Sequence, residues 1–381
     1  MKVRILLVTL IALVTISKAQ TIDESFEFDG VNRYHKIYIP SNFTPNMPLV
    51  LNLHGYTSNA FQQVFYSGMT TVAESNDFML VFPEGTTDQY GVTFWNSEIA
   101  GEDVDDLGYL IALIDSMIVN YQVDPYRVYM CGMSNGGFMS YYSACEMTDK
   151  IAAIASVTGT MNNVIYDNCN PTKSIPVLEI HGTEDATVPY LGFESSGSFQ
   201  TMMATEDVVN FWVNHNNCPE SQVVEMEDLS ITDFSTVTHF SYTGGDNGAS
   251  VEFYRVNEGG HTWPGSIIPL SGIVTNHDIV ASEVIWDFFN QYDIDGLLGV
   301  DDVLQETNFT MSPNPMNTST IVNSSFSIDE YIIYNIQGKV VRKAVVNASQ
   351  IEIQKEGIQS GLYIIEVLGE DTRLKQQLVM Q

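Results

Sequence analysis

The 381-residue chain carries 47 acidic side chains against 15 basic ones, a formal net charge of −32, with 44% hydrophobic residues. That apolar share suits one large core plus a small appendage and lacks the polar bias of a disordered chain. Three of the basic residues fall before Gln20 and six after Asp301. The strongly acidic middle is expected to repel nucleic acid, anionic polysaccharide and anionic lipid.

Lys2 and Arg4 precede the apolar run Ile5 to Ile16, and Ser17-Lys18-Ala19 then stands before Gln20. A basic start, a short apolar run and a small-x-small site predict a secretory signal over residues 1–19; the run is too short for a bilayer anchor. No later segment reads as transmembrane, so no stable membrane insertion is expected. Tyr34 to Pro40 and Leu49 to Leu53 read as a first pair of strands, and Phe78 to Pro83 as another, buried one. Asp103-Val104-Asp105-Asp106 is expected to cap a helix over Leu107 to Tyr121, whose Leu110, Ile111, Ile114, Met117 and Ile118 recur at helical spacing. Carboxylates at the positive end of a helix dipole have a sufficient structural reason to be there, and we prefer it to a metal site.

The apolar run Arg127 to Cys131 leads into Gly132-Met133-Ser134-Asn135-Gly136, and a helix-compatible run, Gly137 to Cys145, follows. Strand, sharp turn and helix with serine at the apex describe a nucleophile elbow, whose flanking glycines let the backbone fold back on itself. A G-x-S-x-G match is weak alone, and its value depends on partners that follow in order. Ile175 to Ile180 reads as a buried strand running into His181-Gly182-Thr183-Glu184-Asp185, and Val251 to Val256 as a strand leading to Glu258-Gly259-Gly260-His261-Thr262-Trp263. Ser134 is the expected nucleophile, His261 the base and Asp185 the acid that orients it; Glu184 is the alternative acid. The order Ser, Asp, His is that of the α/β-hydrolase fold.

These residue types are needed because a serine hydroxyl attacks at neutral pH only if an imidazole takes its proton, and a carboxylate fixes the imidazole tautomer. The oxyanion of the intermediate needs backbone donors. They are expected at Asn135, after the nucleophile, and at Tyr56, in the loop His54-Gly55-Tyr56-Thr57 after the strand Leu49 to Leu53, with the Tyr56 ring at the mouth of the site. His54 and His181, each before glycine at a strand end, read as structural and bonded to the backbone. Four cysteines in an exported chain permit disulfides, and sequence leaves the pairing open; Cys145 with Cys169 is the pair favoured, and Cys131 reads as a buried apolar residue. None has zinc-site spacing.

Strand and helix alternate up to a helix expected over Val274 to Tyr292, which gives a doubly wound α/β domain with a mostly parallel sheet over residues 20–296. A linker is expected at 297–308. Residues 309–381 then offer short alternating strands, Tyr331 to Tyr334, Lys339 to Val345, Ile351 to Ile353 and Leu362 to Val367, parted by turns such as Gln337-Gly338 and Ser360-Gly361. That tail reads as a small all-β sandwich.

Trp95-Asn96, Val104-Asp105-Asp106, Val123-Asp124-Pro125-Tyr126-Arg127, Gly132-Met133-Ser134-Asn135-Gly136-Gly137, His181-Gly182-Thr183 and Gly259-Gly260-His261-Thr262-Trp263-Pro264-Gly265 together resemble the secreted polyhydroxybutyrate depolymerase and feruloyl esterase family over most of residues 24–292. The resemblance implies hydrolysis of carboxylic esters through an acyl-enzyme, without metal or organic cofactor. It implies Ser134, Asp185 and His261 as the triad, and Trp95 and Trp263 as walls of the acyl or aromatic cleft. Many members carry a cysteine that would pair with Cys218; Tyr242-Thr243-Gly244-Gly245 offers none. Ser312-Pro313-Asn314-Pro315, Tyr334-Asn335-Ile336-Gln337-Gly338 and Ser360-Gly361-Leu362-Tyr363 resemble the C-terminal sorting domain of type IX secretion, which implies an outer-membrane export machine as partner and delivery to the cell surface or medium.

The function expected is therefore an extracellular serine esterase acting on feruloyl or acetyl esters of plant polysaccharide, or on a polyester such as polyhydroxybutyrate. Relatives of this architecture also attack aromatic polyesters, with which an open aromatic-walled cleft is compatible. A serine peptidase of the same fold and a non-catalytic surface-binding protein are the alternatives. The first would bring a gating domain and charged anchors for a peptide terminus; the second has no need of a complete triad.

Overall fold

The computed structural model describes residues 18–98, 103–194, 200–298, 309–335, 339–369 and 373–380. The apolar run of the expected signal and most of the expected linker, 299–308, lie outside them, as does the Gln337-Gly338 turn. The chain divides into two compact units after Leu298.

The first unit is built on strands β1 (Gln20–Phe28), β2 (Val31–Ile39), β3 (Leu49–Leu53), β4 (Met79–Pro83), β5 (Val128–Met133), β6 (Ala153–Val157), β7 (Val177–Gly182), β8 (Glu220–Glu225), β9 (Thr236–Thr243) and β10 (Val251–Asn257). They form one ten-stranded sheet in the order β1-β2-β4-β3-β5-β6-β7-β10-β9-β8. The central six, β4 through β10, run parallel, and antiparallel pairs close both edges. This is the doubly wound, mostly parallel sheet expected from the alternation of strand and helix, in the α/β-hydrolase arrangement that the order Ser, Asp, His implies.

Helices α1 (Ala60–Ser67), α2 (Met69–Asn76), α3 (Asp106–Tyr121), α4 (Asn135–Glu146), α5 (Asn163–Asn168), α6 (Thr205–His215) and α7 (Ala281–Phe289) connect the strands. The period of two along the strands sorts the core between two faces. Leu49, Leu51 and Leu53, with Met130 and Ile154, pack under α3, α4 and α6 through Leu110, Met139 and Trp212. Val50, Tyr129, Cys131, Ala155 and Ile180 pack on the other face under α2 and α7, through Met69, Ile285 and Trp286. Burial on both faces is why these strands read as continuous apolar runs rather than alternating ones.

Asp105 caps α3 by accepting from the Gly108 N–H at 2.7 Å. Asp106 beside it forms a buried ion pair with Arg33, 2.6 Å away, and also accepts from the Asn96 N–H. The last helix is shorter than the expected Val274 to Tyr292. Residues 274–280 are engaged as a loop: the Val274 carbonyl accepts from the Gly260 N–H, the Asn276 carbonyl from the Gly265 N–H, and Asp278 binds the amides of Leu229 and Ser230. With the Val274 and Asn276 carbonyls committed to the loop that carries His261, the helix begins only at Ala281.

The second unit is all antiparallel, with β11 (Phe309–Ser312), β12 (Ser319–Asn335), β13 (Val340–Gln354), β14 (Gly361–Leu368) and β15 (Arg373–Met380). The stretches expected as two strands, Lys339 to Val345 and Ile351 to Ile353, fall from Val340 onward in the single strand β13. It follows the long β12 through register shifts around Ile328, so alternation is interrupted without the strand ending. Val322, Ile333, Ile353, Ile365 and Leu378 form its core.

Cys145, in α4, and Cys169, at the end of α5, are disulfide-bonded across 24 residues of sequence. Cys131 and Cys218 are free, and burial pushes the Cys131 thiol well above its ordinary value. Replacing Cys145 and Cys169 by serine is expected to lower unfolding stability by about 3 kcal/mol, the loop-closure entropy of such a crosslink. Urea denaturation of the two forms measures it; an unchanged midpoint would refute this role.

Candidate active site

Ser134 sits where β5 turns into α4, with φ 54° and ψ −120°. A non-glycine residue at that φ costs about 1–3 kcal/mol and persists only where its surroundings impose it. Here the Ser134 N–H donates to the Val157 carbonyl of β6 at 2.8 Å, and its carbonyl accepts from Phe138 at 3.0 Å to start α4. The flanking residues must be small, because a methyl at Gly132 would overlap the Gly136 backbone and one at Gly136 would overlap the carbonyls of Leu53 and His54. A methyl at Gly55 would stand 3.3 Å from Ser134 Cβ and 3.9 Å from its Oγ. The loop after β3 therefore lies directly against the serine.

The structure brings His261 and Asp185 together. His261 Nδ1–H donates to Asp185 Oδ2 at 2.7 Å, so in the neutral ring the lone pair lies on Nε2. Asp185 Oδ1 accepts from the N–H groups of Thr187 and Val188, both at 2.8 Å, so the carboxylate is fixed at both oxygens. Asp185 is buried, whereas its neighbour Glu184 is exposed. The two loops are joined through backbone: Thr183 N–H to Val256, Glu184 N–H to Gly259, and Glu258 N–H to the Thr183 hydroxyl. Ser134, Asp185 and His261 follow β5, β7 and β10, three parallel strands of one sheet, and so stand at the same carboxyl rim.

Among the described residues the backbone N–H groups of Tyr56 and Asn135, the two expected oxyanion donors, have no acceptor. The Tyr56 ring is 45% exposed, and its hydroxyl donates to Asp88 at 2.7 Å. That bond, with some burial and the Asp88 charge, pushes the phenol up to about 12.

Trp95 and Trp263 are not cleft walls. Their side chains are 0% and 1% exposed, because each indole is an internal brace. Trp95 Nε1–H donates to the His54 carbonyl at 3.1 Å, and its ring lies 5.2 Å from that of His54. Trp263 Nε1–H donates to Ser282 of α7, and its backbone N–H to the Tyr66 hydroxyl of α1. One tryptophan thus anchors the loop beside Ser134, the other the loop that carries His261.

The Asn135 side chain is a second contribution that sequence does not suggest. Its Oδ1 accepts from the Trp95 N–H at 2.7 Å, and its Nδ2 donates to the Trp95 carbonyl at 3.0 Å. The partners are 40 residues apart, so only folding reveals them. His54 is buried and bonded to backbone on both sides: Nδ1–H to the Gly55 carbonyl, and the Gly85 N–H to Nε2. Burial lowers its imidazole to about 4, so it is neutral. Among the described residues no group of three or more His, Cys, Asp or Glu is arranged to hold a metal ion.

Gly136→Ala is expected to destabilise the fold by about 1–3 kcal/mol, since the added methyl meets backbone carbonyls that have no room to move. Thermal unfolding checks this; an unchanged melting temperature would show that the elbow has slack.

Residues 35–234 match the Phospholipase/Carboxylesterase family and residues 310–381 the Secretion system C-terminal sorting domain. The chain is 27% identical over 280 residues to the bifunctional acetylxylan esterase/xylanase XynS20E of Neocallimastix patriciarum, covering 73% of this chain and 36% of that protein. It is 31% identical over 189 residues to feruloyl esterase B of Piromyces equi, covering 48% and 35%. With poly(3-hydroxyalkanoate) depolymerase C of Paucimonas lemoignei it shares 30% over 125 residues, covering 32% and 30%. The chain thus spans about a third of the length of each of these relatives. Elbow, sheet order and family match agree, and the chain belongs to the phospholipase/carboxylesterase family, followed by a C-terminal sorting domain of a secretion system.

Proposed function

We propose that the protein is an extracellular serine hydrolase of carboxylic esters, acting on feruloyl or acetyl esters of plant polysaccharide or on a polyester such as polyhydroxybutyrate. The observation that carries this is the 2.7 Å bond from His261 Nδ1 to a doubly anchored Asp185, on the rim where the strained Ser134 stands. With Nδ1–H committed to Asp185, Nε2 takes the Ser134 proton as Oγ attacks the ester carbonyl. The N–H groups of Tyr56 and Asn135 receive the developing oxyanion. His261 then returns the proton to the leaving alcohol, and water, activated by the same imidazole, releases the acid from Ser134.

Two features favour an uncharged, partly apolar ester. A chain of net charge −32 repels anionic substrates. Exposed Tyr56, Phe61 and Phe65 lie on the loop beside Ser134 and on α1 after it, with the two phenylalanine rings 4.9 Å apart. Such a surface suits an aromatic acyl group or a polymer chain. The sorting-domain match supports export by a type IX machine to the cell surface or medium, and among the described residues no helix is long and apolar enough to cross a membrane.

Hydrolysis of p-nitrophenyl acetate, methyl ferulate, acetylated xylan, a polyhydroxybutyrate emulsion and a peptide amide, by wild type and Ser134→Ala, tests the assignment. Ester turnover that falls by roughly four to six orders of magnitude in the variant is expected, with the amide untouched; equal rates in both proteins would overturn it. The rate is also expected to fall as pH drops from about 8 to 5, because a protonated imidazole accepts no proton. A flat profile would remove His261 from the base role. Deleting residues 309–381 is expected to retain the protein inside the cell envelope, and undiminished appearance in the medium would refute the export role.

A further inference from the structure

His181 stands behind the proposed triad, and its two ring nitrogens face two carbonyl and two carboxylate oxygens. Nδ1 faces the Gly159 carbonyl at 3.1 Å and Glu179 Oε1 at 3.0 Å. Nε2 faces the Val188 carbonyl at 2.9 Å and, at 3.5 Å, Asp185 Oδ2, the oxygen that also receives the His261 bond. A carbonyl oxygen can only accept, and one lies within bonding reach of each ring nitrogen, so each nitrogen needs its own proton. The ring is fully buried, and so is Glu179, whose other oxygen accepts from the Tyr141 hydroxyl at 2.7 Å.

We propose that His181 is an imidazolium that positions Asp185 and sets the basicity of His261, making Glu179–His181–Asp185–His261 one charge-alternating chain. This rests on the serine-esterase assignment of Ser134, Asp185 and His261. The cation sits against the same oxygen of Asp185 that His261 uses, so its charge faces the reacting imidazole through one shared carboxylate atom. When His261 takes the Ser134 proton, the four-group chain passes from net anionic to neutral, the balance a low-dielectric interior favours.

Burial alone would strip a proton from His181; the bond and charge of Glu179, the charge of Asp185 and the Val188 carbonyl outweigh it and hold the imidazole above its ordinary value. Burial raises Glu179 too, opposed by His181 and Tyr141. If Glu179 kept the proton, Nδ1 would point a lone pair at the Gly159 carbonyl. The other groups facing the ring are Tyr190, whose ring meets it edge-on at 6.0 Å, and Arg255, its register neighbour on β10, which lies 3.8 Å from Glu206.

Two measurements test this on the full chain. Side-chain nitrogen NMR of the Ser134→Ala protein is expected to show both N–H protons of His181 at pH 8, identified by their loss in His181→Gln or their shift in Glu179→Gln. One protonated nitrogen at neutral pH would overturn the proposal, whether or not any variant is active. In wild-type background, His181→Gln is expected to move the acid limb of kcat/KM to higher pH by on the order of half a unit, with kcat falling more than KM rises. A packing role alone would lower activity equally at every pH; a limb that stays in place would overturn the charge-setting role. Absence of ester turnover in wild type would instead refute the esterase assignment and leave the NMR result to decide the charge of His181.

Discussion

Parallel strands cannot be joined by a tight turn, so each must be followed by a crossover that carries the chain back to the start of the next. In this protein that constraint puts the ends of β5, β7 and β10 on one rim, and with them Ser134, Asp185 and His261 from positions far apart in sequence. The sheet therefore places all three at one edge without any local motif having to encode it. What must be added is orientation, and it comes mainly from backbone: the loop amides of Thr187 and Val188 on Asp185, and the Val157 carbonyl at the end of β6 on Ser134.

The positive φ of Ser134 is an unfavourable conformation that has to be held by its neighbours. Trp95 shares that task from the side of α4, and Trp263 does the corresponding work for the loop that carries His261. Trp95 is locked to the carbonyl of His54 and to the side chain of Asn135, so the loop beside Ser134 and the first residue of α4 are fixed to a common block. Trp263 fixes the turn after His261 to α1 and α7. An indole that is buried and bonded on the inside, as both are, serves rigidity of the loops beside it.

Much of this is legible in sequence, for identifiable reasons. Strands buried on both faces appear as unbroken apolar runs, and a serine between strand and helix is flanked by glycines because the tight reversal leaves no room for side chains, so the sheet and the elbow can be read directly. Asp185 is separable from Glu184 because the chain turns at Val188-Pro189. The failures share a cause. A tryptophan next to a site resembles a wall, which is why Trp95 and Trp263 read as cleft residues, yet whether an indole faces ligand or core is decided by partners such as Ser282 and Asn135 that no local window contains. The helix before Tyr292 reads too long for the same reason: residues 274–280 hold no glycine or proline to stop a helix, but the carbonyls of Val274 and Asn276 are used by the loop that carries His261.

The two His-Gly pairs show the same limit in its sharpest form. His54 and His181 both end buried strands, both precede glycine and both bond to backbone, so sequence describes them identically. Their chemistry differs because one atom differs: Nε2 of His54 meets the Gly85 N–H, a donor, and must be a lone pair, whereas Nε2 of His181 meets the Val188 carbonyl and must be an N–H. With no carboxylate bonded to its ring, burial drives the first imidazole neutral; with Glu179 and Asp185 beside it, the second resists the same desolvation. The protonation state of a buried histidine is thus a property of what the fold places at each nitrogen. Two buried carboxylates can flank a single imidazole, one at each nitrogen, only if the imidazole answers them with charge.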